Sequence, residues 1–189
     1  MFEVRIHGRG GQGVVTAAEM LSIAGFLEGR HAQAFPSFGS ERTGAPVMAF
    51  CRIDDKPIRV REPVMTPNAL IIQDPTLLHQ VNLFQGLKPD GYVLVNSGRS
   101  AAALGLDALG QRQGRLLTVP ASELALKHVG RALPNAALLG GLAAFSGLVH
   151  LASVKSAIAE KFSGAVAAAN IAAAEAAHDW VLAEMKEVA

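Results

Sequence analysis

The stretch Val4-Arg-Ile-His-Gly-Arg-Gly-Gly-Gln-Gly-Val-Val-Thr constrains this chain more than any other. Apolar, β-forming residues run into four glycines, Gly8, Gly10, Gly11 and Gly13. Apolar residues at Val14, Ala17, Ala18, Leu21 and Ala24 then recur at helical spacing. A strand, a glycine turn and a helix are therefore expected in that order. Glycine lets backbone approach a ligand closely, and a helix N-terminus offers unpaired N–H groups and a partial positive charge. Such a turn suits a phosphate or pyrophosphate.

The spacing Gly8-x-Gly10-x-x-Gly13 satisfies the dinucleotide fingerprint, but that fingerprint also expects an acidic residue at the end of the second strand. Here the second strand, His31–Phe35, ends Gln33-Ala34-Phe35-Pro36. Glu28 and Arg30 precede that strand, where neither reaches a ribose or its 2′-phosphate. No Lys-Ser or Lys-Thr follows Gly13, so the lysine-containing nucleotide loop is absent. The turn is read as holding a phosphate-bearing ligand other than a nicotinamide. A tight strand–helix packing turn that binds nothing stays open beside that reading.

Further strands are expected at Val47–Ile53, Leu70–Gln73, Tyr92–Val95 and Leu116–Val119. Asp54-Asp55-Lys56-Pro57 reads as a turn, with Ile58–Val60 returning antiparallel as a hairpin. Asp74 and Pro75 stand where an N-cap and first helical residue belong, opening a helix over Thr76–Gln85. After Pro120 helices are expected at Ala121–Gly130, Ala136–Leu151, Val154–Phe162 and Ala165–Glu187, with Asn135 capping the second. The fold class is α/β: a Rossmann-like, mainly parallel sheet with an inserted β-hairpin and a helical C-terminal part. Residues 1–189 read as a single domain, helical from about 121 onward.

Half of the residues are hydrophobic and 17% are charged, so a large core is available. The net charge of +1 gives no case for nucleic acid or an anionic membrane. The uncharged run Ala136–Val154 is diluted by glycine, serine and histidine, and reads as a buried or interface helix with no membrane insertion. No signal peptide is recognised, so a cytoplasmic location is expected. Cys51 is the only cysteine. It forms no internal disulfide, and this chain alone cannot supply the roughly four thiolates of an iron–sulfur cluster. The six histidines lack ligand spacing, so no metal site is expected. His7, beside the turn, is read as a satisfied strand-end histidine, and Cys51 as a core residue. No catalytic residue is assigned.

Four ordered segments resemble the gamma subunit of 2-oxoacid:ferredoxin oxidoreductases, pyruvate:ferredoxin oxidoreductase being the commonest. They are Gly8-Arg-Gly-Gly-Gln-Gly-Val-Val, Ala32-Gln-Ala-Phe-Pro-Ser-Phe-Gly-Ser-Glu-Arg-Thr-Gly-Ala-Pro-Val, Cys51-Arg-Ile-Asp-Asp-Lys-Pro-Ile-Arg and Gln73-Asp-Pro-Thr-Leu. The resemblance implies a multi-subunit enzyme that converts a 2-oxoacid and coenzyme A to acyl-CoA, CO2 and reduced acceptor. It implies alpha, beta and delta-type partner subunits that carry thiamine diphosphate, Mg and the iron–sulfur clusters. It also implies ferredoxin or another acceptor reached through the complex. This chain then supplies scaffold and one wall of a shared coenzyme A cleft, holding no cofactor alone. Pyruvate is the default substrate, with branched-chain acids, 2-oxoglutarate and aryl acids such as phenylglyoxylate open. The expected contacts are the backbone of Gly8, Gly10, Gly11 and Gly13, with Arg9 and Gln12 as donors. Ser40, Arg42 and Thr43 on the Pro36–Pro46 loop would face either a phosphate or a partner carboxylate. A free-standing nucleotide-binding oxidoreductase and a purely structural assembly subunit are the alternatives.

Overall fold

The computed structural model describes residues 1–37, 43–106 and 115–188. Six strands form one sheet in the order β2-β3-β1-β4-β5-β6: β1 Phe2–Arg9, β2 His31–Pro36, β3 Pro46–Asp54, β4 Ala69–Ile72, β5 Tyr92–Asn96 and β6 Leu116–Val119. The β1–β4, β4–β5 and β5–β6 pairs are parallel, whereas β3 runs antiparallel between β1 and β2. The α/β class and the mainly parallel sheet therefore hold. The antiparallel element is β2 with β3, and the expected Ile58–Val60 return strand does not form. Its absence follows from the sheet, because β1 and β2 already occupy both edges of β3.

The helices are α1 Val14–Leu27, α2 Ala121–Val129, α3 Asn135–Ser146, α4 Leu151–Lys161 and α5 Gly164–Val188. The run expected as one helix over Ala136–Leu151 stops at Gly147, whose φ of 63° is left-handed, and α4 starts after it. Asn135 is the first helical residue of α3, not its cap; Pro134 holds the capping position. Thr76–Gln85 makes only a 3-10 turn over Pro75–His79, capped by the Asp74 side chain as expected. Among the described residues no helix is long and apolar enough to cross a membrane.

Strand alternation sorts the core into two layers. Val4 and Ile6 of β1, Ala49, Cys51 and Ile53 of β3, and Ala69 and Ile71 of β4 share one cluster with the helices. Gly140 lets α3 and α5 touch, since a Cβ there would lie 2.0 Å from the Ala174 carbonyl oxygen. On the other face Leu70, Ile72, Val93 and Val95 pack against Leu77, Leu83 and Leu87 from the connection after β4. The alternate residues of β1 on that face, Arg5 and His7, are buried polar groups.

Candidate functional site

The connections leaving β1 and β4 part in opposite directions, so the carboxyl ends of these two strands flank the crevice where open α/β sheets hold ligands. The glycine turn lies there. Gly8 has no room for a side chain, because a Cβ would lie 2.6 Å from Val14 Cγ2 and 3.2 Å from Gln73 Cβ. Gly13 takes φ 70° at the mouth of α1, and a Cβ there would meet Asn135 Nδ2 at 2.6 Å. Gly11 is also left-handed, at φ 93°. Packing thus fixes Gly8, backbone conformation fixes Gly11, and both fix Gly13.

Arg9 and Gln12 turn inward to Asp74. The Asp74 carboxylate accepts from Arg9 Nε at 3.1 Å and Gln12 Nε2 at 2.9 Å on one oxygen, and from the Thr76 N–H and hydroxyl at 3.0 and 2.6 Å on the other. Arg9 also donates to the Gly44 carbonyl, the Thr76 hydroxyl and Gln80 Oε1. Gln12 Oε1 accepts the Arg9 N–H at 2.8 Å. Burial raises the Asp74 carboxyl, but bonds from Thr76 and Gln12 and the Arg9 charge outweigh it, leaving Asp74 below its ordinary value. Arg9 is therefore committed to a carboxylate and contributes no free charge to the crevice.

The turn backbone is partly committed as well. The Gly10 N–H donates to Ala45 O at 2.9 Å and the Gln12 N–H to Arg9 O at 3.1 Å. The first bond of α1 runs from the Ala17 N–H to Gly13 O, so the N–H groups of Val14, Val15 and Thr16 have no intrahelical acceptor. No side chain caps them. Val14, Val15 and Thr16 line an open cavity of about 260 Å3 together with Arg9, Gly10, Gly11, Gly13 and Val47. An anion there would meet the positive end of α1 and glycine backbone.

Thr43 is brought to this site. Gly10 and Thr43 form an isolated bridge, and the Gly44 N–H donates to Gly10 O at 3.0 Å. Ser40 and Arg42 lie outside the described residues. Much of the site comes from the two residues after β4, which local composition does not reveal. Gln73 is 1% exposed, donates Nε2 to Gln12 O at 3.0 Å, and its Oε1 has no partner among the described residues. Asp74, read only as a cap, organises the turn. Their signal was the placement of Gln73-Asp74 directly after a buried strand parallel to β1.

A dinucleotide site does not fit. Because β3 separates β1 from β2, the end of β2 stands two strand spacings, about 10 Å, from β1. Glu28 faces away at the far end of α1, where it accepts the His150 N–H at 2.7 Å. Among the described residues no group of three or more His, Cys, Asp or Glu could hold a metal ion. Cys51 is fully buried and burial pushes its thiol far above its ordinary value, so it is no nucleophile.

Residues 3–180 match the family described as pyruvate ferredoxin/flavodoxin oxidoreductase. The chain is 49% identical over 177 residues to the pyruvate/ketoisovalerate oxidoreductases common subunit gamma of Thermococcus kodakarensis, covering 94% of this chain and 95% of that one. It is 45% identical over 182 residues to pyruvate synthase subunit PorC of Methanocaldococcus jannaschii, covering 96% and 98%. Its fold superimposes on the crystal structure of pyruvate oxidoreductase subunit PORC from Thermotoga maritima with a TM-score of 0.80 at 34% identity, over 94% and 95% of the two chains.

Proposed function

The chain belongs to the pyruvate ferredoxin/flavodoxin oxidoreductase family, and from that premise we propose that it is the gamma-type subunit of a multi-subunit 2-oxoacid oxidoreductase. The whole enzyme converts a 2-oxoacid and coenzyme A to acyl-CoA and CO2, passing electrons to ferredoxin or another acceptor. Alpha, beta and delta-type chains carry thiamine diphosphate, Mg and the iron–sulfur clusters. Pyruvate is the first substrate to test, followed by branched-chain acids, 2-oxoglutarate and phenylglyoxylate.

This chain's own part is scaffold and one wall of the coenzyme A cleft. The observation that carries this reading is the cavity at the start of α1, where the N–H groups of Val14, Val15 and Thr16 lack intrahelical acceptors beside glycine backbone. Coenzyme A brings a pyrophosphate, which such N–H groups bind. Unlike a nicotinamide dinucleotide, it needs no acid at the end of the second strand. Gly8 and Gly13 let the turn pack against Val14, Gln73 and Asn135, and Gly11 supplies its left-handed bend, so the backbone offered to the ligand is fixed in place. Arg9 and Gln12 act indirectly, by tying the turn to Asp74. Thr43, which bridges Gly10, would add a hydroxyl, with Ser40 and Arg42 of the same sequence segment as further donors.

Co-purification with mass spectrometry tests the assembly. Partner chains with thiamine and cluster motifs are expected, with coenzyme A-dependent turnover only in the complex. Turnover of a nicotinamide by the isolated chain would overturn the proposal.

A further inference from the structure

A second cavity lies on the sheet face opposite α1, in the antiparallel region, and shares no lining residue with the first. It encloses about 220 Å3 between β1, β3 and the connections around Val64 and Val81. Arg5 and His7 line it, and they are only 7% and 4% exposed. Arg5 donates Nε–H to His7 Nε2 at 3.0 Å, Nη1–H to Val64 O at 3.4 Å, and Nη2–H to Leu83 O and Gln85 O at 2.9 and 2.7 Å. All of these acceptors are neutral. Among the described residues no carboxylate pairs with Arg5, and the remaining Nη1 proton has no acceptor. Buried charges in proteins are ordinarily paired, so a guanidinium satisfied only by neutral groups stands out.

His7 extends the pattern. Because Nε2 accepts from Arg5, the neutral ring carries its proton on Nδ1. That N–H has no partner among the described residues, although the side chain is almost wholly buried against the cavity. Ser37 and Asn82 add neutral polar groups to the lining, which contains no Asp or Glu. The remaining lining is largely apolar, from Met48, Phe50, Val64, Met65 and Val81, the last two being 64% and 42% exposed.

We propose that this cavity binds a carboxylate carried on a short apolar group, with the carboxylate against Arg5 and His7 and the apolar part among Met48, Phe50 and Val81. At ~30 Å3 per water-sized group the space takes about seven non-hydrogen atoms. It is too small for a nucleotide or coenzyme A. The carboxylate belongs either to a free short-chain acid or to an acidic side chain inserted by another subunit, and both present the same chemistry.

The test uses 3-methylbutanoate and its uncharged isostere 3-methylbutanamide, titrated into the full chain. Binding is read by calorimetry and by the imidazole resonances of His7. The acid is expected to saturate the chain and shift the His7 signals, with the amide at least tenfold weaker. Arg5→Met should abolish binding, but Arg5 also ties three loop carbonyls, so that variant risks the fold. Val81→Glu, at an exposed position on the rim, keeps the fold and adds a competing carboxylate; at least tenfold weaker binding is expected. Repeating the titration on the assembled complex separates the sources. Retained binding identifies a free acid, and lost binding identifies a partner carboxylate already in place. Absence of binding to the full chain, equal binding of acid and amide, or binding that leaves His7 unshifted overturns the proposal.

Discussion

His7 makes the stability of this protein depend on pH in a way that can be calculated. Burial, reinforced by the Arg5 charge, pushes its imidazole down from 6.5 to about 3. The unfolded chain binds a proton below pH 6.5 that the folded chain refuses, so stability is full above that value and falls as pH falls towards 3. Between pH 7 and pH 4 this one group should remove about 3 kcal/mol, and the figure barely changes if the folded value is 4 instead. Many other groups titrate over the same range, so the assay is a comparison. His7→Gln keeps an acceptor for Arg5 Nε–H and cannot titrate. Urea unfolding of parent and variant at pH 7 and pH 4 gives two stability differences. The variant should gain about 3 kcal/mol on the parent at the lower pH. A relative gain under about 0.5 kcal/mol would refute the neutral, buried imidazole, as would a His7 resonance titrating near its ordinary value.

Three further outcomes are expected. Asp74→Asn removes the charge paired with Arg9 and should cost about 1–3 kcal/mol by chemical denaturation; because Asp74 is held below its ordinary value, the parent should also lose its advantage over the variant as pH falls below the carboxylate range. Gly140→Ala forces a Cβ against the Ala174 carbonyl and should cost about 3 kcal/mol, read as a lowered Tm, by prising α3 from α5. Cys51 should resist a thiol reagent in the native protein and react only as the chain unfolds.

Local signals carried the first turn and the last strand well. The Gly8–Gly13 spacing announced strand, turn and helix, and β6 spans Leu116–Val119 as its composition suggested. Long-range pairing decided the rest. Ile58–Val60 has a strand-like composition, but β3 has no free edge for it. Thr76–Gln85 carries a helix start, yet Leu77, Leu83 and Leu87 are spent filling the second core layer, and the carbonyls of Leu83 and Gln85 accept from Arg5. The candidate site was legible in its glycines and not in its charges. Arg9 read as a donor to the ligand because nothing local reveals that Asp74, sixty-five positions away, stands beside it.

Coenzyme A binding to the complex carrying Thr16→Glu in this chain decides whether the start of α1 holds the pyrophosphate. Thr16 lies in the first turn of α1 and lines the cavity. An acidic residue there favours the helix dipole, so the fold and Tm should be kept or slightly improved. The same charge repels a pyrophosphate. At least tenfold weaker coenzyme A binding by calorimetry is expected, with an unchanged KM for the 2-oxoacid. Coenzyme A affinity within twofold of the parent, in a complex that assembles normally, would contradict it and leave the glycine turn as packing alone.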